Sequence, residues 1–182
     1  MRLFAISDIH GSRTALEAAF AAMDREGAEL VAILGDYLNH GPRNPIPEGY
    51  DPPGAAKLLN ARRELIVPVR GNCDSEVDQM MLDFPMLGEY STIVLDGLRI
   101  FMAHGHSQVM SPEKLPPLPT GSVFLSGHTH IPLLERRGGI LVMNPGSITL
   151  PKGGHPKTYG LLGEGILEIK TIEGESFDRL EL

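Results

Sequence analysis

Residues 2–7 (RLFAIS) and 30–34 (LVAIL) are short, nearly continuous apolar runs, the pattern of strands covered on both faces. Between them Leu16, Phe20 and Met23 recur on one helical face, with Ser12 or Thr14 placed to cap the start and Gly27 the end. A strand, a helix and a second doubly buried strand make a βαβ unit, which commits the chain to a layered α/β fold. A second unit follows, with a helix over 54–63 behind Pro52 and Pro53 and a strand over 65–69 (LIVPV). Ser75 and Asp78 have capping-box spacing for a further short helix. Beyond residue 90 the pattern is all strand: STIVL, LRIFMA, VFLSG, GILVMN, TYGLL and ILEIKTI, with glycine-containing turns between several of them. This order predicts two packed sheets flanked by helices, with residues 111–121 (SPEKLPPLPTG) as an exposed excursion. No linker or repeat interrupts residues 1–182, so one domain is expected.

Five apolar strands run directly into short polar motifs built from metal-ligating residue types. These are DIHG at 8–11, GDYLNHG at 35–41, GNCD at 71–74, HGH at 104–106 and GHTH at 127–130. Strand ends of this kind form the site crevice of α/β sheets. A lone Asp-x-His pair is ordinary surface polarity, but five such motifs at five strand ends point to a metal centre. In an extended segment alternate residues face the same side, so Asp8 with His10, and His128 with His130, are each expected to converge. Gly11, Gly35, Gly71, Gly105 and Gly127 adjoin these residues, where a missing Cβ permits close backbone approach.

Composition narrows the partners. A net charge of −7 with no block of Lys and Arg disfavours long nucleic acid, whose binding requires many clustered cations. No apolar run reaches the roughly 18 residues of a membrane span, so no membrane partner is expected. The single cysteine, Cys73, cannot form an intrachain disulfide. With no secretory pattern at the N-terminus, a reducing cytoplasm is the expected location. Association into a homo-oligomer is left open.

In this order, DIHG, GD, GNCD, HGH, GHTH and NPGS resemble the motifs of the calcineurin-like metallophosphoesterase superfamily, and the match spans nearly the whole chain. Within it, GDYLNHGPRNPIPEGYDP, VRGNCDSEVDQMM and NPGSITLPKGG are similar to the small bacterial YfcE-type phosphodiesterases. The resemblance implies an α/β fold, a four-layer αββα sandwich of two mixed β-sheets flanked by helices. It also implies two divalent metal ions, one held by Asp8, His10 and His130, the other by Asn72, His104 and His128, with Asp36 bridging. Mn²⁺ is the expected ion, and Fe, Zn, Co and Ni suit the same imidazole, carboxylate and amide ligands.

Such a pair would activate a bridging hydroxide for in-line attack on a small phosphate diester, with Asp36, Asn72, Cys73 and His104 carrying the catalytic roles. Asn39, His40 and Arg43 lie close in sequence to Asp36 and are candidate substrate contacts, as is His106. Ser7 and Ser147 sit in no nucleophile elbow and are read as strand-end and turn residues. Cys73 departs from the superfamily's commoner GNH pattern, which predicts weaker general-acid help to poor leaving groups. A phosphatase or nuclease of the same superfamily is an alternative. So is a non-catalytic scaffold resembling the retromer subunit, although that subunit has altered ligand positions and this chain does not.

Overall fold

The computed structural model describes residues 1–182. Its strands are β1 (Leu3–Ile6), β2 (Leu30–Ile33), β3 (Ile66–Pro68), β4 (Tyr90–Leu95), β5 (Leu98–Ala103) and β6 (Val123–Leu125), followed by β7 (Pro132–Arg137), β8 (Ile140–Pro145), β9 (Thr158–Gly163), β10 (Ile166–Thr171) and β11 (Ser176–Glu181). Its helices are α1 (Arg13–Glu26), α2 (Pro52–Ala61) and the single turn α3 (Glu76–Gln79). The strands form two mixed sheets, ordered β11-β10-β9-β1-β2-β3 and β4-β5-β6-β8-β7. β1, β2 and β3 are parallel in the first sheet, and β5, β6 and β8 in the second. All helices are therefore crossovers or turns attached to the first half of the chain.

The helix signals act as their chemistry requires. The Ser12 hydroxyl accepts the Ala15 N–H at the start of α1, and Gly27 ends it in the left-handed conformation that lacks a Cβ penalty. Asp51 caps α2, whose first residues are Pro52 and Pro53, and Ser75 and Asp78 form the reciprocal capping box of α3.

Strand alternation assigns the core. Phe4, Ile6, Val31 and Ile33 face outward beneath Leu16, Ala19, Phe20 and Met23 of α1 and Leu59 of α2. Leu3, Ala5, Ala32 and Leu34 face inward against Ile100, Met102, Val123, Leu125, Leu141 and Met143 of the second sheet. Doubly buried β1 thus explains the unbroken run LFAI.

The two mixed sheets under helices agree with the α/β sandwich expected from the sequence. The layer over the second sheet, however, is built from loop. Met110, Leu115 and Leu118 pack onto Ala103, Phe124, Ile140 and Val142, so the excursion at 111–121 is partly a cover rather than a free projection. Two strands escape the sequence reading, β7 (PLLERR) and β11 (SFDRLE). Both are sheet edges, where charged side chains discourage pairing with other chains and blur the apolar pattern. No helix is long and apolar enough to cross a membrane.

Candidate metal centre

The five motifs follow the carboxyl ends of β1, β2, β3, β5 and β6, so both parallel strand sets deliver them to one edge of the sandwich. Their backbone there is not extended. Asp8, His10, Asp36, His128 and His130 all have φ between 49° and 68°, and only two other non-glycine residues of the chain have positive φ. The expected convergence of Asp8 with His10 and of His128 with His130 therefore arises from left-handed turns, not from strand alternation. Each such residue costs on the order of 1–3 kcal/mol, a strain that concentrates at functional sites.

The turns bring the polar atoms together. Asp8 Oδ1 lies 3.3 Å from His130 Nε2, 3.8 Å from His10 Nε2 and 4.0 Å from His104 Nε2. Asp36 Oδ2 lies 3.7 Å from His10 Nε2 and 3.5 Å from His104 Nε2, so this carboxylate touches both halves of the cluster. Asn72 Oδ1 is 3.1 Å from His104 Nε2, and the His128 ring centroid is 5.1 Å from that of His104.

The outer ring nitrogens fix the inner ones. His10 Nδ1 donates to the Asn39 carbonyl at 2.9 Å, His104 Nδ1 to Leu34 at 2.5 Å and His130 Nδ1 to Leu150 at 2.6 Å. With Nδ1–H so committed, each ring when neutral presents an Nε2 lone pair inward, the arrangement of a metal-ligating histidine. His10 Nε2 and His130 Nε2 face one another at 3.3 Å, an approach of two lone pairs that only a proton or a cation relieves. Asp8 Oδ1 is fully buried without a hydrogen-bond partner, which costs about 1–3 kcal/mol or more for a charged group. The residues fit divalent metal ions, since imidazole and carboxylate donors suit borderline cations.

Backbone brackets hold these loops. Asp74 accepts the N–H groups of Asp36, Tyr37 and Gly71 at 2.9, 2.8 and 2.6 Å. Asn144 donates to the Gly127 carbonyl and accepts the Gly146 N–H, while Ser147 donates to the Asp8 carbonyl. A Cβ at Gly127 would meet Ser7 Oγ at 1.8 Å, and one at Gly71 would meet Asp36 Oδ1 at 2.1 Å. Gly71 and Gly127 thus make the close approaches expected of them from the sequence, whereas Asp74 and Asn144 are supports that the sequence did not assign, because they act on backbone groups far away in the chain.

Residues 1–164 match the calcineurin-like phosphoesterase superfamily domain. The chain belongs to this superfamily. It is 46% identical to Phosphodiesterase YfcE of Escherichia coli strain K12 over 176 residues, which is 97% of this chain and 95% of that protein. The solved structure of YfcE, a phosphoesterase from E. coli, superposes with a TM-score of 0.95 at 43% identity, covering 100% of this chain and 99% of that one. Vacuolar Protein Sorting 29 from Cryptosporidium parvum shares the fold, with a TM-score of 0.66 at 15% identity over 100% of this chain and 98% of that one.

Electrostatics at this phosphoesterase centre are dominated by burial and by the two carboxylates. Burial alone would raise Asp36, yet the His104 hydrogen bond and charge hold it well below the usual carboxylate range. Burial opposes charge on His104, but Asp36 and Asp8 raise it to about 9. Burial lowers His10, and burial with the His104 charge lowers His106 and His128. Burial and Asp36 push the Cys73 thiol up to about 12.

An open cleft of about 740 Å³ lies over the centre. Asp36, Asn72, His128 and His130 form its floor, and the candidate substrate contacts Asn39 and Arg43 line it together with Cys73, a candidate catalytic residue. Cys73 Sγ also falls within 4.8 Å of ligand atoms of His10 and Asp36. Two expected contacts do not reach the wall. His40 sets its ring edge-on against Tyr50 at 5.2 Å, with Nδ1 3.3 Å from the tyrosine hydroxyl. His106 packs against the rings of His104 and His128 at 5.4 and 6.0 Å. Asn44, Thr129 and Lys152 line the cleft and were missed. Lys152 sits in NPGSITLPKGG, seven residues past the end of β8, in a segment held at the centre by the Leu150 carbonyl on His130 Nδ1 and by the Lys152 N–H on the His130 carbonyl at 3.1 Å.

Proposed function

We propose that this protein is a metal-dependent phosphoric diester hydrolase acting on small phosphate diesters. One divalent ion would be held by Asp8, His10 and His130, a second by Asn72, His104 and His128, with Asp36 shared. The observation that carries the reading is the convergence of an unpartnered buried Asp8 oxygen with inward imidazole nitrogens whose Nδ1 protons are already committed to carbonyls. The near-full-length likeness to a protein named a phosphodiesterase supports the diester as substrate.

Bound divalent ions would supply Lewis acidity and lower the pKa of a coordinated water from 15.7 to about 7. The chain's own contribution is placement. Carbonyls of Leu34, Asn39 and Leu150 orient the three rings, Cys73 N–H holds Asp36 Oδ1 at 2.8 Å, and the cleft admits substrate from one side. Direct in-line displacement is favoured over a covalent phospho-enzyme. Ser7 and Ser147 are fully buried and spend their hydroxyl protons on the Leu34 and Asp8 carbonyls, and the Cys73 thiol stays protonated near neutral pH.

Mn²⁺ is the favoured ion, because mixed imidazole and carboxylate ligation suits it better than Mg²⁺, with Fe, Zn, Co and Ni compatible. Both sheets supply loops to one centre, which supports treating residues 1–182 as one catalytic domain. A reducing cytoplasm suits the single, half-buried thiol.

The test is to chelate the protein, verify metal removal by elemental analysis and assay bis(4-nitrophenyl) phosphate beside 4-nitrophenyl phosphate. Hydrolysis should vanish and return with Mn²⁺ at least as well as with Mg²⁺, with two ions per chain and a faster diester. Full activity in verified metal-free protein would overturn the proposal.

A further inference from the structure

The cleft carries two cations that the centre does not use. Arg43 and Lys152 are exposed, both line the cleft, and no ion pair of the chain engages either. The other residues on the wall are Asn39, Gly41, Pro42, Asn44, Thr129 and Cys73, and no Phe, Tyr or Trp lines the cleft. Tyr50, near in sequence, is occupied by the His40 ring.

The backbone that carries the two cations is pinned. Arg43 sits in a turn in which Asn39 Oδ1 accepts the Gly41 N–H at 2.8 Å, Asn44 N–H reaches the Gly41 carbonyl at 3.2 Å and Asn44 Nδ2 donates to the His40 carbonyl at 2.9 Å. The Asn39 carbonyl of the same turn holds His10 Nδ1. Lys152 is tied through its N–H to the carbonyl of His130. Each cation therefore hangs on a backbone segment that also orients a candidate metal ligand, which places the base of both side chains beside the centre.

Charge counting says what they are for. A diester phosphate carries one negative charge, and two divalent ions with Asp8 and Asp36 leave the centre positive enough to match it. The cations on the wall then have nothing to neutralise unless the substrate bears a second anion. A nucleoside substituent would find no Phe, Tyr or Trp platform, and Arg43 could stack on a base only by releasing that second anion. Amide and hydroxyl groups on the wall suit the hydroxyls of a polyol or sugar.

We infer, building on the diesterase reading above, that the cleft selects diesters in which one substituent is a short polyol or sugar bearing a second anionic group, a phosphate or a carboxylate, read by Arg43 and Lys152. Two screened ion pairs of this kind amount to on the order of tenfold in kcat/KM, and the preference weakens as salt rises.

The experiment compares 4-nitrophenyl diesters of glycerol, glycerol 3-phosphate and glyceric acid, plus a thymidine 5′ diester, in Mn²⁺-loaded protein. Binding of propane-1,3-bisphosphonate and propylphosphonate by calorimetry gives a readout independent of turnover. The two anionic glycerol-type diesters should exceed the neutral one about tenfold in kcat/KM, mainly through KM, and the bisphosphonate should bind about tenfold more tightly than the monophosphonate. R43A and K152A should each shrink both ratios, and the double variant should bring them close to one. A phosphate-only or carboxylate-only preference identifies which anion is read and supports the inference. Equal turnover of neutral and anionic diesters, a preferred thymidine diester, or ratios unmoved in the double variant would overturn the inference alone. No hydrolysis of any diester at full metal loading would overturn the diesterase reading with it.

Discussion

Gly71→Ala should disable the centre although Gly71 ligates nothing. An added Cβ would lie 2.1 Å from Asp36 Oδ1 and 2.3 Å from Asp36 N, roughly 1 Å short of van der Waals contact. Neither side can yield cheaply. Gly71 N–H and Asp36 N–H both donate to Asp74, at 2.6 and 2.9 Å, so separating the two segments breaks that bracket. Overpacking of this kind costs about 1–3 kcal/mol. At about 2–4 °C per kcal/mol for a chain of this size, the melting temperature should fall by about 2–12 °C. The larger effect is on chemistry, because a shift of about 1 Å in a positioned group can cost about 10²-fold. The assay is kcat on bis(4-nitrophenyl) phosphate in saturating Mn²⁺, with metal content and thermal melts on the same samples. Gly88→Ala is the control, since its nearest neighbour to a new Cβ is Tyr90 O at 3.7 Å, and its stability should stay within about 0.5 kcal/mol of the parent. If Gly71→Ala keeps two ions per chain and turnover within about threefold of the parent, Asp36 is not held as argued.

Asp36→Asn should lower metal content and rate more than His106→Ala, and elemental analysis showing two ions and ordinary turnover in Asp36→Asn would remove it from the bridging position. In chelated protein His104 stays protonated up to about 9 against an ordinary 6.5, so its contribution to stability is complete below pH 6.5 and is lost as pH rises toward 9, by a few kcal/mol at most. Mn²⁺ would take the place of that proton, so the rise in melting temperature on adding it should grow across this window; a chelated protein equally stable at pH 6.5 and 9 would contradict the pairing of His104 with Asp36 and Asp8. Cys73→His should speed alkyl phosphate esters selectively while Cys73→Ser leaves aryl diester turnover largely intact, and equal changes across all esters at matched metal occupancy would reject a leaving-group role for this position.

The fold was legible where burial dictates pattern. Strands β1 and β2 are covered on both faces and read as unbroken apolar runs, and α1 shows one apolar stripe between a serine cap and a glycine stop. Edge strands β7 and β11 escaped because exposure lets Glu135, Arg136, Arg137, Asp178 and Arg179 occupy them. The loop cover on the second sheet escaped because SPEKLPPLPTG has no period, and only the outer face of Phe124 and Val142 gives Leu115 and Leu118 something to pack on. In the cleft, Asn39 and Arg43 were found by proximity in sequence to Asp36, and Cys73 by its place after Asn72 in the GNCD motif. Lys152 could not be found that way, since its connection to the centre runs through hydrogen bonds from residues 147–152 to the Asp8 and His130 loops, which are distant in sequence.

At the centre, the ligand types were readable but the reason for their convergence was not. Alternation along an extended strand would deliver Asp8 and His10 to one face, yet both adopt left-handed φ, which no residue pattern signals for a non-glycine. What keeps these turns in place is a set of bonds to main-chain groups, from Asp74, Asn144, Ser147 and Thr149, none of which uses an inward-facing atom of a candidate ligand. This division of labour explains how the position after Asn72 can differ from the commoner histidine without dismantling the site. Residue 73 holds Asp36 Oδ1 through its backbone N–H, which every residue except proline supplies. Its side chain lines the cleft and is not needed for that bond. Substitutions at Cys73 should therefore redistribute activity among substrates at constant metal content, whereas Cys73→Pro should lose metal and activity together.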